Sequence, residues 1–97
     1  MFRRTLTACA ISAFVFLAAC DSAEEKAEAF YQSGLALLAD GDPDRAAVEF
    51  RNVFNYNGEH QDARRQLAEI LRAQGNVSGA FGQYLRLVEQ YPELADA

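Results

Sequence analysis

The sequence predicts an all-α fold in which antiparallel helical hairpins stack side by side as a solenoid. The first observation is a 34-residue period that runs twice, because residues 27–60 align with residues 61–94. The second is that a glycine, Gly41 or Gly75, divides each copy into two segments whose apolar residues recur at helical spacing. Helix pairs of this length bury their apolar faces by stacking on their neighbours. Each copy is therefore expected to form one hairpin.

The chain begins with an apolar leader that is too short to cross a membrane as a helix. Arg3 and Arg4 precede an apolar stretch over residues 6–19 that one threonine and one serine interrupt. A transmembrane helix needs roughly 20 apolar residues, whereas a stretch of this length suits the hydrophobic region of a secretory signal peptide. We therefore expect residues 1–19 to direct export.

The end of the leader, Leu17-Ala18-Ala19-Cys20, resembles the lipobox of bacterial lipoproteins. In that motif an aliphatic residue and two small residues precede a cysteine, whose thiol takes a diacylglycerol through a thioether bond. The resemblance implies that lipidated Cys20 begins the mature protein, that residues 20–26 form a tether, and that acyl chains such as palmitate anchor it. The alternative is an ordinary secretory signal peptide that is cleaved near Ala19. Cys9 lies inside the leader, so the two cysteines predict no disulfide framework.

The first repeat predicts two helices separated by a sharp break. Ser22 is a candidate N-cap for a helix over about residues 23–39. The break is Asp40-Gly41-Asp42-Pro43, in which glycine suits the left-handed position after a helix, aspartate an N-cap and proline the first turn of the next helix. The second helix is expected over about residues 43–55. Gly34 costs about 1 kcal/mol inside a helix, and we expect it to allow close approach of the partner helix.

The second repeat shows the same arrangement of helix, break and helix. It follows a turn signal at Asn57-Gly58, and its first helix is expected over about residues 59–74. Gly75-Asn76 supplies the break and the next N-cap. The second helix is expected over about residues 77–90, because Pro92 disfavours the helical conformation at the residue before it.

The spacing of these core positions resembles the tetratricopeptide repeat (TPR) family, over nearly all of the chain after the leader. The matching positions are Phe30, Gly34, Leu37, Ala46, Phe50 and Val53 in the first repeat, and Leu67, Ala68, Leu71, Ala80, Tyr84, Leu87 and Pro92 in the second. The resemblance implies a right-handed solenoid of two repeats. Three residues depart from the pattern, namely Ser33, Gly58 and Arg64, and we expect them to weaken the exit of the first repeat and the entry of the second.

The last residues point to an open end of the stack. Residues 95–97 align with residues 61–63, so they form the start of a third repeat or a C-terminal tail. The last helix would otherwise expose Phe81, Tyr84, Leu85 and Val88. Because a stack usually needs at least three units, we expect either that the natural protein continues beyond Ala97 or that a partner or a second copy covers this face.

The charge of the chain argues against nucleic acid as a partner. The formal net charge is −5, and without the two arginines of the leader 7 basic residues oppose 14 acidic ones. Phosphates need a basic surface, so we expect no nucleic-acid binding.

The sequence contains no pattern that predicts catalysis, a cofactor or a metal. His60 is the only histidine and is expected in an exposed turn, without the three or four convergent ligands that a metal needs. No nucleophile and base pair is present. Gly79 and Gly82 lie inside a predicted helix, where we expect their small size to permit helix packing. The sequence therefore predicts a protein that is not an enzyme.

The remaining candidate site is the concave groove that the TPR resemblance implies along the first helix of each repeat. Aromatic and apolar side chains there could contact a protein or peptide, and Arg65 and Arg72 could pair with its carboxylates. The alternative is that these side chains are only solvated. The groove residues projected onto this chain are Glu28, Tyr31, Leu35, Leu38, Asp62, Arg65, Glu69 and Arg72.

These observations favour a membrane-anchored TPR scaffold for protein–protein contacts in the bacterial cell envelope, on the periplasmic side of either membrane. The chain resembles the TPR lipoproteins of exopolysaccharide and exosortase systems, and less closely the outer-membrane assembly lipoprotein. The alternatives are the TPR portion of a larger envelope enzyme and a subunit of a cytochrome-maturation or secretion complex. TPR folds host many functions, so the fold alone does not choose among them.

Overall fold

A computed structural model describes residues 22–96 of the chain as four α-helices and a terminal 3₁₀-helix, with no strand among them. The helices are α1 (Ala23–Ala39), α2 (Pro43–Val53), α3 (Gln61–Ala73) and α4 (Val77–Gln90), and the 3₁₀-helix covers Pro92–Asp96. α1 packs against α2, α3 against α4, and α2 against α3. The predicted all-α stack of two hairpins is therefore confirmed.

The predictions about the leader concern residues that the structure does not describe. The signal peptide over residues 1–19 and the lipidation site at Cys20 both lie outside the described residues. Within residues 22–96, no helix is both long enough and apolar enough to cross a membrane.

Short polar side chains and glycines set the limits of the helices, as predicted. Ser22, Asp42 and Asn76 are N-caps, and each side chain accepts a hydrogen bond of 2.9–3.2 Å from the backbone N–H three residues later. Such bonds satisfy donors that the first turn of a helix leaves without a partner. Gly41 and Gly75 follow α1 and α3 with φ of +78° and +81°, a left-handed conformation that glycine adopts at little cost.

The hydrophobic core lies between the two hairpins and within each of them. Phe50, Leu67 and Val53 are its largest fully buried side chains. The close approach predicted at Gly34 is confirmed, because a Cβ atom placed there would lie only 2.5 Å from Cε1 of Phe50. The predicted role of Gly82 in helix packing is wrong, since a Cβ atom placed there would have no atom of another helix within 4 Å. At Gly79 the nearest atoms belong to the Asn76 side chain that caps the same helix.

Arg64 makes several contacts at the junction between the two repeats, which the sequence predicted to be weak. Its guanidinium is buried, lies 4.0 Å from the centroid of the Phe54 ring, and donates hydrogen bonds to Gln83 Oε1 at 2.6 Å and to the Gly58 carbonyl at 3.0 Å. Gln90 Nε2 also donates to the Gly58 carbonyl, at 3.0 Å. Arg64 and Gly58, which both depart from the TPR pattern, therefore contact each other. Together they connect the end of α2 with α3 and α4.

Candidate functional site

The residues predicted to line the groove divide into half-buried apolar side chains and exposed charged ones. Tyr31, Leu35 and Leu38 on α1 are half-buried and pack against the core, so they contribute to stability as well as to the surface. The charged residues of the prediction are all exposed: Glu28, Asp62, Arg65, Glu69 and Arg72.

His60 lies at the junction of the two repeats and not in an exposed turn, so that prediction was wrong. Its Nδ1 atom accepts a hydrogen bond of 3.1 Å from the backbone N–H of Ala63, which makes His60 the N-cap of α3. Its side chain is only 14% exposed, and its ring centroid lies 4.8 Å from that of Tyr31. The Nε2 atom lies 3.6 Å from Glu28 Oε2. This N-cap also explains why α3 begins at Gln61 and not at Glu59.

Tyr31 connects this junction to the core. Its ring is tilted against that of Phe50, with the centroids 5.8 Å apart. Burial, followed by the negative charges of Asp62 and then Glu28, raises the pKa of the Tyr31 hydroxyl. The fold thus brings three of the predicted groove residues, Glu28, Tyr31 and Asp62, into one electrostatic environment around His60.

An open cavity of about 280 Å³ lies beside His60, where the starts of α1 and α3 meet the turn between the hairpins. Four carboxylates border it, and no lysine or arginine does, so its potential is negative. Glu28 and Asp62 are the lining residues that the sequence predicted. The other lining residues were not predicted, because they come from the turn and from the ends of helices. The lining residues are Glu24, Ala27, Glu28, Asn57, Glu59, His60, Gln61, Asp62 and Tyr91.

The other half of the predicted groove, on α3, carries both positively and negatively charged side chains. Arg72 donates a hydrogen bond of 2.6 Å to Glu69 Oε2, and the Tyr84 hydroxyl donates one of 3.1 Å to Glu69 Oε1. The bond from Arg72, followed by that from Tyr84, lowers the pKa of the Glu69 carboxyl. Arg65 borders a separate cavity of about 310 Å³ together with Glu69 and Leu94. Arg72 therefore already contacts a carboxylate of its own helix, whereas Arg65 faces open space.

The described residues contain no cluster of histidine, cysteine, aspartate or glutamate side chains that could hold a metal ion. The site is instead an open surface along α1 and α3, with a negative end at His60 and a mixed end at Arg65. Stacked helical hairpins with such an open surface define a helical-repeat protein.

The family follows from comparison with known proteins. The model of the tetratricopeptide repeat matches residues 31–95, which is more than half of the chain, so the chain belongs to the TPR family. No curated protein and no solved structure matches the chain.

Proposed function

We propose that this protein is a non-catalytic TPR scaffold that holds a protein or peptide in the groove along α1 and α3. The observation that carries the proposal is the junction of the repeats, where residues from both first helices converge on His60 around an open cavity. TPR proteins typically bind proteins or peptides and lack catalytic centres. A surface that both repeats build together suits an extended ligand that contacts both of them.

The charges of the groove favour a ligand with a basic segment. Glu24, Glu28, Glu59 and Asp62 surround the cavity at His60. The four carboxylates would attract a lysine or arginine side chain of the ligand. Complementary charge also raises the rate at which ligand and protein associate. The mixed charges at the other end of the groove suit polar contacts of either sign.

The experiment is peptide binding with the charges of the cavity reversed. An array of helical and extended peptides, matched in length and rich in either Lys/Arg or Asp/Glu, is probed with the full chain. We expect basic peptides to be retained, and retention to fall at least tenfold in the double variant Glu28→Lys, Asp62→Lys. The double variant Asp40→Lys, Glu89→Lys makes the same change in net charge at two exposed carboxylates outside the groove and is the matched control. Equal retention by the parent and the double variant would exclude this groove.

The proposed scaffold is attached to the periplasmic side of an envelope membrane through lipid on Cys20. The support is the sequence Leu17-Ala18-Ala19-Cys20 after an apolar leader. Cys20→Ser should prevent incorporation of labelled palmitate and release the protein from the membrane fraction of an expressing bacterium. Cys9→Ser is the control and should change neither result. An unchanged membrane fraction in Cys20→Ser would contradict the anchor but leave the groove untouched.

The same proposal places the scaffold in an assembly, secretion or exopolysaccharide-type system, in line with the lipoproteins that the sequence resembles. Crosslinking of the lipidated protein in membranes, followed by identification of the attached chain, tests this assignment. A partner from an unrelated cytoplasmic process would contradict it.

A further inference from the structure

α4 presents an uncovered apolar stripe at the end of the described stack. Val77 is 72% exposed, Phe81 66%, Leu85 47% and Val88 37%. Residues four, eight and eleven positions after Val77 share one face of a helix, so these side chains form a continuous patch. Patches of this kind on an otherwise polar surface mark sites of association.

The internal repeat shows what covers the equivalent face of the first hairpin. A shift of 34 residues places Phe81 on Ala47 and Val88 on Phe54. Ala47 is 4% exposed on α2, which packs against α3, and the Phe54 ring lies against Arg64 of α3. Phe81 and Val88 therefore hold positions that, one repeat earlier, pack against the first helix of the following repeat, whereas the equivalents of the other two stripe residues are exposed on α2.

α1 carries the complementary face at the other end of the stack. Ala63, Leu67 and Ile70 are buried on α3, and the same shift places them on Ala29, Ser33 and Ala36 of α1. These three residues are all exposed. Their side chains are small, so they form a shallow surface on which the bulky side chains of an α4 stripe can lie.

We propose that a second copy of this chain covers the stripe in a head-to-tail manner, with α4 of one copy packed on α1 of the next. The contact would continue the internal α2–α3 interface in the same register. Val88 would meet Phe30 where Phe54 meets Arg64. Ser78 would face Asp40 where Asp44 Oδ1 accepts a hydrogen bond of 2.6 Å from Gln74. This surface is separate from the groove, so it does not depend on the proposed function.

One segment has to move for the copies to meet in this register. Continuing the 34-residue repeat would place residues 24–28 of one copy where Pro92–Asp96 of the neighbouring copy lie. A short 3₁₀-helix has poor hydrogen-bond geometry and yields more easily than an α-helix. The contact itself involves residues of α1 that follow residue 28. Because the two faces differ, each added copy leaves a new α4 face open, and the assembly grows without closing.

Sedimentation equilibrium of the full chain in density-matched detergent tests the proposal. Phe81→Glu blocks the α4 face, and Ala29→Glu with Ser33→Glu blocks the α1 face. Val48→Glu places the same charge at an exposed apolar residue of α2, outside both faces, and is the control. The average mass of the parent and of the control should rise with concentration beyond that of a dimer. Each blocked variant alone should remain monomeric, whereas their equimolar mixture should reach twice the monomer mass and no more.

Three results would overturn the proposal. The first is a monomeric parent at all concentrations, and the second is a mixture of the two blocked variants that remains monomeric. The third is a dimer of the α1-blocked variant alone, which would mean that α4 packs on α4 of the other copy. Circular dichroism checks that each variant keeps its helices. Val88→Lys and Ala36→Lys replace a variant that fails this check, with the same expected masses.

Discussion

Equivalent positions in the two hairpins hold aromatic rings in different surroundings. Phe50 of the first hairpin is fully buried and lies against Gly34. Its equivalent in the second hairpin, Tyr84, is half-buried and directs its hydroxyl to the exposed Glu69. The two rings hold equivalent positions in their repeats. Among the described α-helices, however, α2 packs against both α1 and α3, whereas α4 packs against α3 alone. The burial of a side chain therefore depends on where its hairpin lies in the stack, even when its position within the repeat is the same.

The largest expected effect distinguishes these two rings. Phe50→Ala should lower the free energy of unfolding by about 3–5 kcal/mol, because it leaves a cavity between tightly packed helices. Tyr84→Ala should cost less than half as much, since much of its ring already contacts water. Urea denaturation followed by circular dichroism measures both. Equal losses would mean that the hairpins are packed alike.

The next effect concerns the residue that opens each repeat, which is Phe30 in the first and Arg64 in the second. Arg64→Ala should cost about 2 kcal/mol, because it leaves buried polar atoms of the junction without a partner and removes the contact with Phe54. Its neighbour Arg65 is exposed, and Arg65→Ala should change stability by less than about 0.5 kcal/mol. The same denaturation experiment compares them. A neutral Arg64→Ala would show that the junction is held by apolar packing alone.

Glycine substitutions should have opposite signs in the two hairpins. Gly34→Ala forces a methyl group against the buried Phe50 ring, and overpacking of about 1–3 kcal/mol exceeds the gain in helix propensity of about 1 kcal/mol. Gly82→Ala meets open space and should stabilise the protein by up to about 1 kcal/mol. Thermal melting reveals the signs directly. Phe50→Leu should restore part of the stability that Gly34→Ala loses, and a lack of any rescue would contradict the steric explanation.

The smallest effect is expected at the surface pair of the second hairpin. The folded state lowers the pKa of Glu69, so its contribution to stability is present above the ordinary pKa of a glutamate and is lost as the pH falls through the lowered value. Glu69→Gln should therefore flatten the acid side of the stability curve slightly and change little at neutral pH. NMR titrations of the Glu69 carboxyl in the folded protein and in the urea-unfolded protein measure the shift directly. The same Glu69 pKa in both states would contradict this expectation.

Local signals in the sequence were sufficient to place the helices. The predicted limits of α1 and α4 agree with the structure, because a capping side chain precedes each and a glycine-containing break or a proline follows it. α2 ends two residues earlier than expected, where Phe54 turns toward Arg64. The residues that set these limits act within one helical turn, so their effects can be predicted without knowledge of the fold.

Contacts between distant parts of the chain were not predictable in this way. His60 gave no recognised capping signal, yet it caps α3 and touches Tyr31 and Glu28 of α1. The carboxylates at Glu24 and Glu59 reach the same cavity from different elements. Tyr91 also lines this cavity, because its hydroxyl donates a hydrogen bond to the Glu59 carbonyl, 32 residues earlier.

The amino-acid sequence by itself determined the two hairpins, their register and their family, because helix periodicity, caps and breaks operate over a few residues. Only the tertiary structure decided which charges gather at the junction, that Arg64 is buried, and which apolar stripe stays uncovered. These properties depend on which elements are neighbours in space, and residues at equivalent repeat positions acquire different neighbours at the middle and at the end of a stack.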